Sequence, residues 1–419
     1  MLTPRRIGLV STRFSGTDGV SLESRKWVDV LEQLGHHCFY FSGECDHPIN
    51  ISRMTPEAHF LHPDVWDIYT VAFSNAVRPP AVTRRIRELQ AHLKSELDAF
   101  VRAFDLELLL VQNALAIPLN IPLGLALTEY IAETGFPVLA HHHDFFWERP
   151  RFLVNCVWDY LNTAFPPHLP SIRHVVINSS AANQLSLRTG ISSMLIPNVM
   201  DFEHPPAPPD EYAHTLRADL AVGVDQVLVL QPTRVVARKG IEHAVELVKR
   251  LGLDARLVIS HSATDEGNGY VQHLRTFAGL LGMNVNFESV IISATRGRTD
   301  DGRKMYALAD VYQHADLVTY PSTIEGFGNA FLEAIYYRRP LVVNNYSIFA
   351  TDIQPKGFRV ISFDGFITED TLAQTRYVLQ DRAAAAEMVE LNYQLAAKHY
   401  SYAVLRRHLE TCLAQFFGE

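Results

Sequence analysis

The sequence predicts an α/β protein of two doubly wound parallel-sheet domains, and three observations carry that prediction. Short apolar runs alternate with amphipathic stretches of about ten to fifteen residues in both halves of the chain, the pattern of a parallel sheet with helices on its faces. Between the halves, His204-Pro205-Pro206-Ala207-Pro208-Pro209-Asp210 sets four prolines in five positions, which neither a helix nor a central strand tolerates. A length of 419 residues also exceeds what one ordinary core serves. The expected organisation is a first domain over 1–203, a linker over 204–212, a second domain over 213–385, and a helical segment over 386–419 that could pack back across the domains.

In the first half, Ile7–Ser11 reads as a strand, followed by the loop Phe14-Ser15-Gly16-Thr17-Asp18-Gly19-Val20. Trp27, Val30, Leu31 and Leu34 then repeat at helical spacing, Gly35 stops the helix, and Cys38–Phe41 is the next strand. This is a βαβ unit with a glycine loop where a phosphate-bearing ligand could sit, though without a full G-x-G-x-x-G the loop reads equally well as a tight turn. Residues 42–78 read as irregular. A long helix from Pro80 to Phe104 carries Ile86, Leu89, Leu93, Leu97, Phe100 and Phe104 on one face. Strands are expected at Glu107–Val111, Pro137–Ala140, His174–Asn178 and Met194–Ile196, with a helix at Ile121–Thr134.

The second half restarts the alternation. Val227–Leu230 is a strand, Arg234-Val235-Val236-Ala237-Arg238-Lys239-Gly240 a basic loop, and Ile241–Leu251 a helix. Strands follow at Arg256–Ser260, Val285–Phe287, Leu317–Tyr320 and Leu341–Asn345, with helices at Tyr270–Leu281 and Lys304–His314; Ala383–Phe417 reads as helical throughout.

Composition excludes several functions. The chain is 47% hydrophobic and 20% charged, with net charge −9 and no long basic run, so nucleic acid is not the expected partner. Its four cysteines (Cys38, Cys45, Cys156 and Cys412) form no C-x-x-C pair, which argues against a zinc knuckle or a disulfide scaffold and fits a reducing compartment. The apolar stretch 106–131 is interrupted by Gln112, Asn113, Pro118, Asn120 and Pro122, and no secretory apolar segment precedes the first strand. A cytoplasmic, soluble protein without a transmembrane segment is expected.

The stretch with most chemistry is Pro321-Ser322-Thr323-Ile324-Glu325-Gly326-Phe327-Gly328-Asn329-Ala330-Phe331-Leu332-Glu333. It joins a buried strand to a helix whose N-terminal N–H groups point back at the turn, a setting suited to a polar or anionic ligand. The bland alternative is that its carboxylates only favour a helix N-terminus. For the basic loop the alternative is a solvated turn, and Arg238 reads as solvent-facing. His141-His142-His143-Asp144 contains an H-x-H pair that Asp144 or Glu148 could extend. Nothing further along supplies a third ligand, and no metal is expected. Phe145, Phe146 and Trp147 read as core before sugar platform, and Arg149 and Arg151 fit either an anionic acceptor or a surface pair.

Four of these places together resemble glycosyltransferase family 4, nucleotide-sugar enzymes of the GT-B fold. They are Glu325-Gly326-Phe327-Gly328…Glu333, similar to the family's E-x7-E element; Arg234 with Lys239 and Gly240; Ile196-Pro197-Asn198-Val199-Met200-Asp201; and the glycine loop. The resemblance implies two Rossmann-like domains facing across a cleft. It also implies transfer of a hexose (glucose or mannose) from a UDP- or GDP-sugar to a small-molecule acceptor, with retention of configuration and no tightly bound cofactor. A compatible-solute or disaccharide-type precursor is one acceptor consistent with it, though no motif selects one. In the roles it implies, Arg234 and Lys239 neutralise the departing diphosphate. Glu325 holds sugar hydroxyls with the backbone of Gly326, Phe327 and Gly328, and Glu333 binds the ribose. Gly16 and Gly19 close on the sugar and phosphate, and His142, favoured over its two neighbours, touches the donor sugar. Asn329 stands where the family often has an apolar residue; it counts among the donor-binding positions or re-caps the helix. The 42–78 segment is also unusual and could build the acceptor site. The alternatives are a sugar phosphorylase of the same fold and a catalytically silent nucleotide-sugar-binding partner. Oligomeric state, donor base and acceptor stay open.

Overall fold

Apolar runs too continuous to alternate become strands buried on both faces; all five residues of Leu108–Gln112, Leu-Leu-Leu-Val-Gln, are buried. The computed structural model describes residues 3–16, 18–261, 268–283, 286–287 and 290–418. The chain forms two units, Met1–Val199 with Tyr402–Glu419, and Met200–Ser401.

The first unit runs β1 (Arg6–Val10), α1 (Gly19–Gln33), β2 (His37–Ser42), β3 (Ser52–Met54), α2 (Pro63–Ala72), α3 (Pro80–Ala103), β4 (Leu108–Gln112), α4 (Ile121–Thr134), β5 (Val138–His142), α5 (Trp158–Ala164), β6 (Ile172–Val176), α6 (Ser179–Thr189) and β7 (Ser193–Leu195). Its seven strands are parallel, in the order β3-β2-β1-β4-β5-β6-β7. Alternate residues serve opposite faces. Val10, Leu109, Val111 and Ala140 pack on one side with Leu93, Leu97 and Phe100 of α3 and Leu123 and Leu127 of α4. Ile7, Leu9, Leu108, Leu110 and Leu139 pack on the other with Trp27, Val30 and Leu31 of α1 and with Leu405, Leu409 and Leu413 of the helix Tyr402–Phe417. The stripe expected on the long helix is buried from Ile86 to Phe100, while Phe104 lies just past the helix end and is only partly buried. The 42–78 segment is more regular than its sequence suggests. β3 extends the sheet beside β2, and α2 buries Val65, Ile68 and Ala72; Trp66, half exposed among them, blurs the period.

The second unit runs α7 (Leu216–Asp219), β8 (Val227–Gln231), α8 (Ile241–Leu251), β9 (Ala255–Ile259), α9 (Asn268–Leu280), β10 (Asn286–Phe287), β11 (Ile292–Ser293), β12 (Gly297–Arg298), β13 (Lys304–Ala307), α10 (Leu308–His314), β14 (Leu317–Tyr320), α11 (Asn329–Tyr336), β15 (Leu341–Asn344), β16 (Ile361–Phe363), α12 (Glu369–Gln380) and α13 (Arg382–Tyr400). Its main sheet has the order β10-β9-β8-β14-β15-β16 and is parallel. Of the strand expected at 285–287, Val285 lies outside the described residues. Lys304–Ala307, expected as the start of a helix, is instead a strand between β11 and β12, because its carbonyls and N–H groups have two neighbours to pair with. The C-terminal stretch is helical as expected, in two helices that meet at buried Ser401.

In each unit one pair of adjacent strands marks where the strand order reverses: β1 beside β4, and β8 beside β14. Loops leaving the carboxyl ends of such a pair diverge and leave room for a ligand.

Candidate active site

At the second unit's reversal point, the loops after β8 and β14 are stitched together. Thr323 N–H donates to the Arg238 carbonyl at 2.9 Å. Gly240 has φ +56°, and a Cβ there would lie 2.5 Å from the Pro321 carbonyl oxygen, so the approach needs glycine. The closeness brings Lys239 Nζ onto Glu325 Oε1, with Arg238 Nη1 3.4 Å from the other carboxylate oxygen. Lys239 is 8% exposed, and its Nζ stands 5.5 Å from the centre of the Tyr320 ring. Burial alone would raise the Glu325 carboxyl; the charges of Lys239 and Arg238, with hydrogen bonds from Lys239 and Ser322, carry it below its ordinary value. Burial pulls Lys239 down against the attraction of Glu325. Arg234 is exposed, and its charge also acts on Lys239 and on His261. Arg238, expected to face solvent, keeps 39% of its side chain exposed and also reaches Glu325 with Nη1.

The turn after Glu325 is braced from beneath. Phe327 is 2% exposed with its ring against Tyr400, so only its backbone remains for a ligand, and its carbonyl accepts from Tyr346 Oη at 2.7 Å. Gly328 has φ +124°, and a Cβ there would meet Tyr346 Oη at 2.7 Å. Gly328 is the residue that precedes α11; Asn329 is the first helical residue rather than its cap. Gly326 is exposed at the tip. Glu333, half-buried on α11, accepts from Tyr312 Oη at 2.9 Å. Tyr312 and the tyrosines behind Glu325 escaped sequence reasoning because tyrosines on apolar strands and helices read as core.

In the first unit, the loop after β1 carries exposed Gly16 and Gly19, the latter already the first residue of α1; Thr17 lies outside the described residues. Asp18 caps α1, accepting from Val20 N at 3.0 Å and Ser21 N at 3.1 Å. Gly16 N–H donates to Asp46 at 2.9 Å, and Ser15 Oγ to Glu44. The helix terminus that could have met a phosphate is thus already occupied by a carboxylate.

The histidine run needs a correction. His142, the favoured donor contact, is 1% exposed, and its Nε2 is 2.9 Å from His174 Nδ1 on β6. His141 is fully buried and stacks on Trp27, ring centres 4.1 Å apart. Only His143, just past the strand, keeps partial exposure. Strand alternation explains this: while β5 continues, each side chain is committed to one packed face or the other. Burial pushes His143 down to about 4, against the pull of Asp144 and Asp18. Phe145 and Phe146 are buried, and Arg149 pairs with Asp144. Among the described residues, no three His, Cys, Asp or Glu side chains converge as metal ligands would, and no helix is long and apolar enough to cross a membrane.

No family model matches the chain. It is 29% identical over 430 aligned positions to the mannosylglucosylglycerate synthase of Thermotoga maritima, covering 94% of this chain and 96% of that one. It is 29% identical over 384 positions to the enzyme of the same name from Petrotoga mobilis, covering 85% and 86%. Among solved structures it is similar to a glycosyltransferase from Rickettsia africae, with TM-score 0.69, 13% identity and 99% of both chains covered. It is likewise similar to the sucrose-phosphate synthase of Thermosynechococcus elongatus, with TM-score 0.67, 16% identity and 99% of both chains covered. A third is Anabaena HepE in complex with UDP-glucose, with TM-score 0.64, 12% identity, and 98% of this chain and 100% of that one covered. At these identities the structural likenesses show the fold. Likeness in sequence and in fold meet on one class: this is a hexose-transferring glycosyltransferase built on the GT-B fold.

Proposed function

We propose that the protein moves a mannosyl group from a nucleoside-diphosphate sugar onto glucosylglycerate or a closely similar glycoside of glyceric acid, with retention of configuration as in family 4. One observation carries the reading. A buried Lys–Glu pair stands where the loops after β8 and β14 meet, in a chain similar over nearly its whole length to enzymes named for that product. In this reading 213–385 is the nucleotide-sugar domain, 1–203 the acceptor-side domain and 386–419 the helical segment that follows.

The roles follow from the chemistry of the groups. Departure of a diphosphate develops negative charge, which Arg234 and Lys239 stabilise with little reorganisation because Glu325 already holds Lys239 in place. Glu325, kept ionised, accepts from sugar hydroxyls, and backbone N–H groups of Gly326, Phe327, Gly328 and Asn329 face the ligand. Glu333 accepts from the ribose. In the first unit, Asp18 and Asp46, each paired with an arginine, take the N–H groups at Gly16 and beside Gly19 that a phosphate would need, which favours sugar hydroxyls there. His143 replaces His142 as the histidine for the donor sugar, since His142 is committed to His174.

The test is incubation with GDP- and UDP-sugars plus glucosylglycerate, with the product linkage read by NMR. A new glycoside with the donor's anomeric configuration is expected. Inverted product would refute retention. Sugar phosphate formed only with inorganic phosphate would favour the phosphorylase, and nucleotide-sugar binding without turnover the silent partner.

A further inference from the structure

At the first unit's reversal point, between β1 and β4, two amides end the β4 side; every polar side-chain atom of theirs but Gln112 Nε2 finds a partner. Gln112 ends β4 with 0% exposure, and Ser11 Oγ at the end of β1 donates to its carbonyl at 3.1 Å. Its Oε1 lies 2.9 Å from His141 Nδ1 and 3.1 Å from His143 Nε2. With that oxygen as the common acceptor, both rings present an N–H to it. The nitrogen of His143 that Gln112 does not engage is then Nδ1, carrying a lone pair.

Asn113 follows with φ +59°, a left-handed conformation that asparagine adopts more readily than most residues. It is 7% exposed, and both ends of its side chain are used. Oδ1 accepts from the His143 backbone N–H at 3.0 Å, and Nδ2 donates to Asp144 Oδ1 at 2.9 Å. The opposite carboxylate oxygen of Asp144 takes Arg149. A residue held in an uncommon backbone region, with its side chain clamping two neighbours from another strand end, is the kind of outlier that accompanies function.

We infer that Gln112 and Asn113 are the positioning residues of the transfer site in the first unit. Gln112 sets the tautomer and orientation of His143, and Asn113 fixes the backbone that carries His143 and Asp144. The inference rests on the reading in which His143 serves the donor sugar, and it adds what that ring presents. Nδ1 faces the ligand as a neutral acceptor, so the group it takes is a sugar hydroxyl and not a phosphate oxygen.

The experiment compares Asn113→Gly, Gln112→Leu, Gln112→Glu and His143→Ala for kcat, donor KM and thermal midpoint, with the imidazole tautomer followed by nitrogen NMR. Glycine keeps the positive φ, so Asn113→Gly should melt near the wild type while kcat falls about 100-fold, the cost of a small misplacement. Gln112→Leu should lose a similar factor and mix the His143 tautomers. Gln112→Glu, which retains the acceptor oxygens, should recover most of the rate. Normal kcat in Asn113→Gly and Gln112→Leu, with His143→Ala inactive, overturns the positioning role. A fully active His143→Ala overturns the reading of His143 beneath it. Equal losses in Gln112→Leu and Gln112→Glu that track lowered melting make the role structural and also overturn the inference; should Gln112→Leu fail to fold, Asn113→Gly decides.

Discussion

The two reversal points share a topology and differ in chemistry. Between β8 and β14 the groups gathered at the strand ends are charged, with Lys239, Arg238 and Glu325 in one cluster and Arg234 close by. Between β1 and β4 amides and imidazoles predominate, with Gln112, Asn113 and His143 linked by neutral hydrogen bonds and Asn113 also holding the Asp144 carboxylate. Departing diphosphate calls for charge, whereas selecting among hydroxyls calls for fixed donors and acceptors, and the same sheet geometry supplies either.

That contrast is most easily broken at Lys239. Lys239→Met should lower initial rates about 1,000-fold with nucleotide sugar saturating. A loss no larger than that of Asn113→Gly would mean that charge is not what sets the second unit apart.

Acid should separate the units next. His143 and His174 are pushed to about 4 by burial, and His141 and His142 well below their ordinary value. In the unfolded chain each titrates near ~6.5. Between about 6.5 and 4 the unfolded chain therefore binds protons that the folded first unit refuses. Stability is intact above that window and drains as pH falls through it, by up to about 3 kcal/mol for His174 alone. Glu325, held below its ordinary 4.5, keeps its contribution until more acid pH. All four tryptophans, Trp27, Trp66, Trp147 and Trp158, lie in the first unit. Tryptophan fluorescence should then change between pH 6.5 and 4, ahead of the far-ultraviolet dichroism of the whole chain. Coincident transitions would contradict the ordering.

The smallest effect is expected from Tyr312→Phe, which removes the hydroxyl that donates to Glu333. One such bond is worth about 1 kcal/mol, so donor KM should rise about fivefold with kcat nearly unchanged. A fall in kcat alone would place Glu333 closer to the reacting bond than to the ribose.

What the sequence made legible follows the same divide. Glu325, Lys239 and Gly328 announce themselves because a charged or glycine residue at a strand-to-helix turn has few structural reasons to be there. Gln112 and Asn113 do not, because their partners, His143 and Asp144, lie about thirty residues away and meet them only through sheet pairing. The burial of His142 was hidden for a related reason: three consecutive histidines look alike until the strand's end assigns each a face. The contact of Arg238 with Glu325 was hidden because the approach of Thr323 to the Arg238 carbonyl, which brings Glu325 within reach, is a tertiary fact. The strand at Lys304–Ala307 was hidden because its pairing partners are two-residue strands too short to read.

The return of Tyr402–Phe417 to the first unit has a consequence for how the chain matures. Leu405, Leu409 and Leu413 complete the cluster around Ile7, Leu9 and Trp27. During synthesis Met1–Val199 leaves the ribosome with that face uncovered and stays so while Met200–Ser401 is made, on the order of 10–40 s at ~5–20 residues per second. The half synthesised second can finish folding first, and the early half is exposed to chaperones and to aggregation until its closing helix arrives.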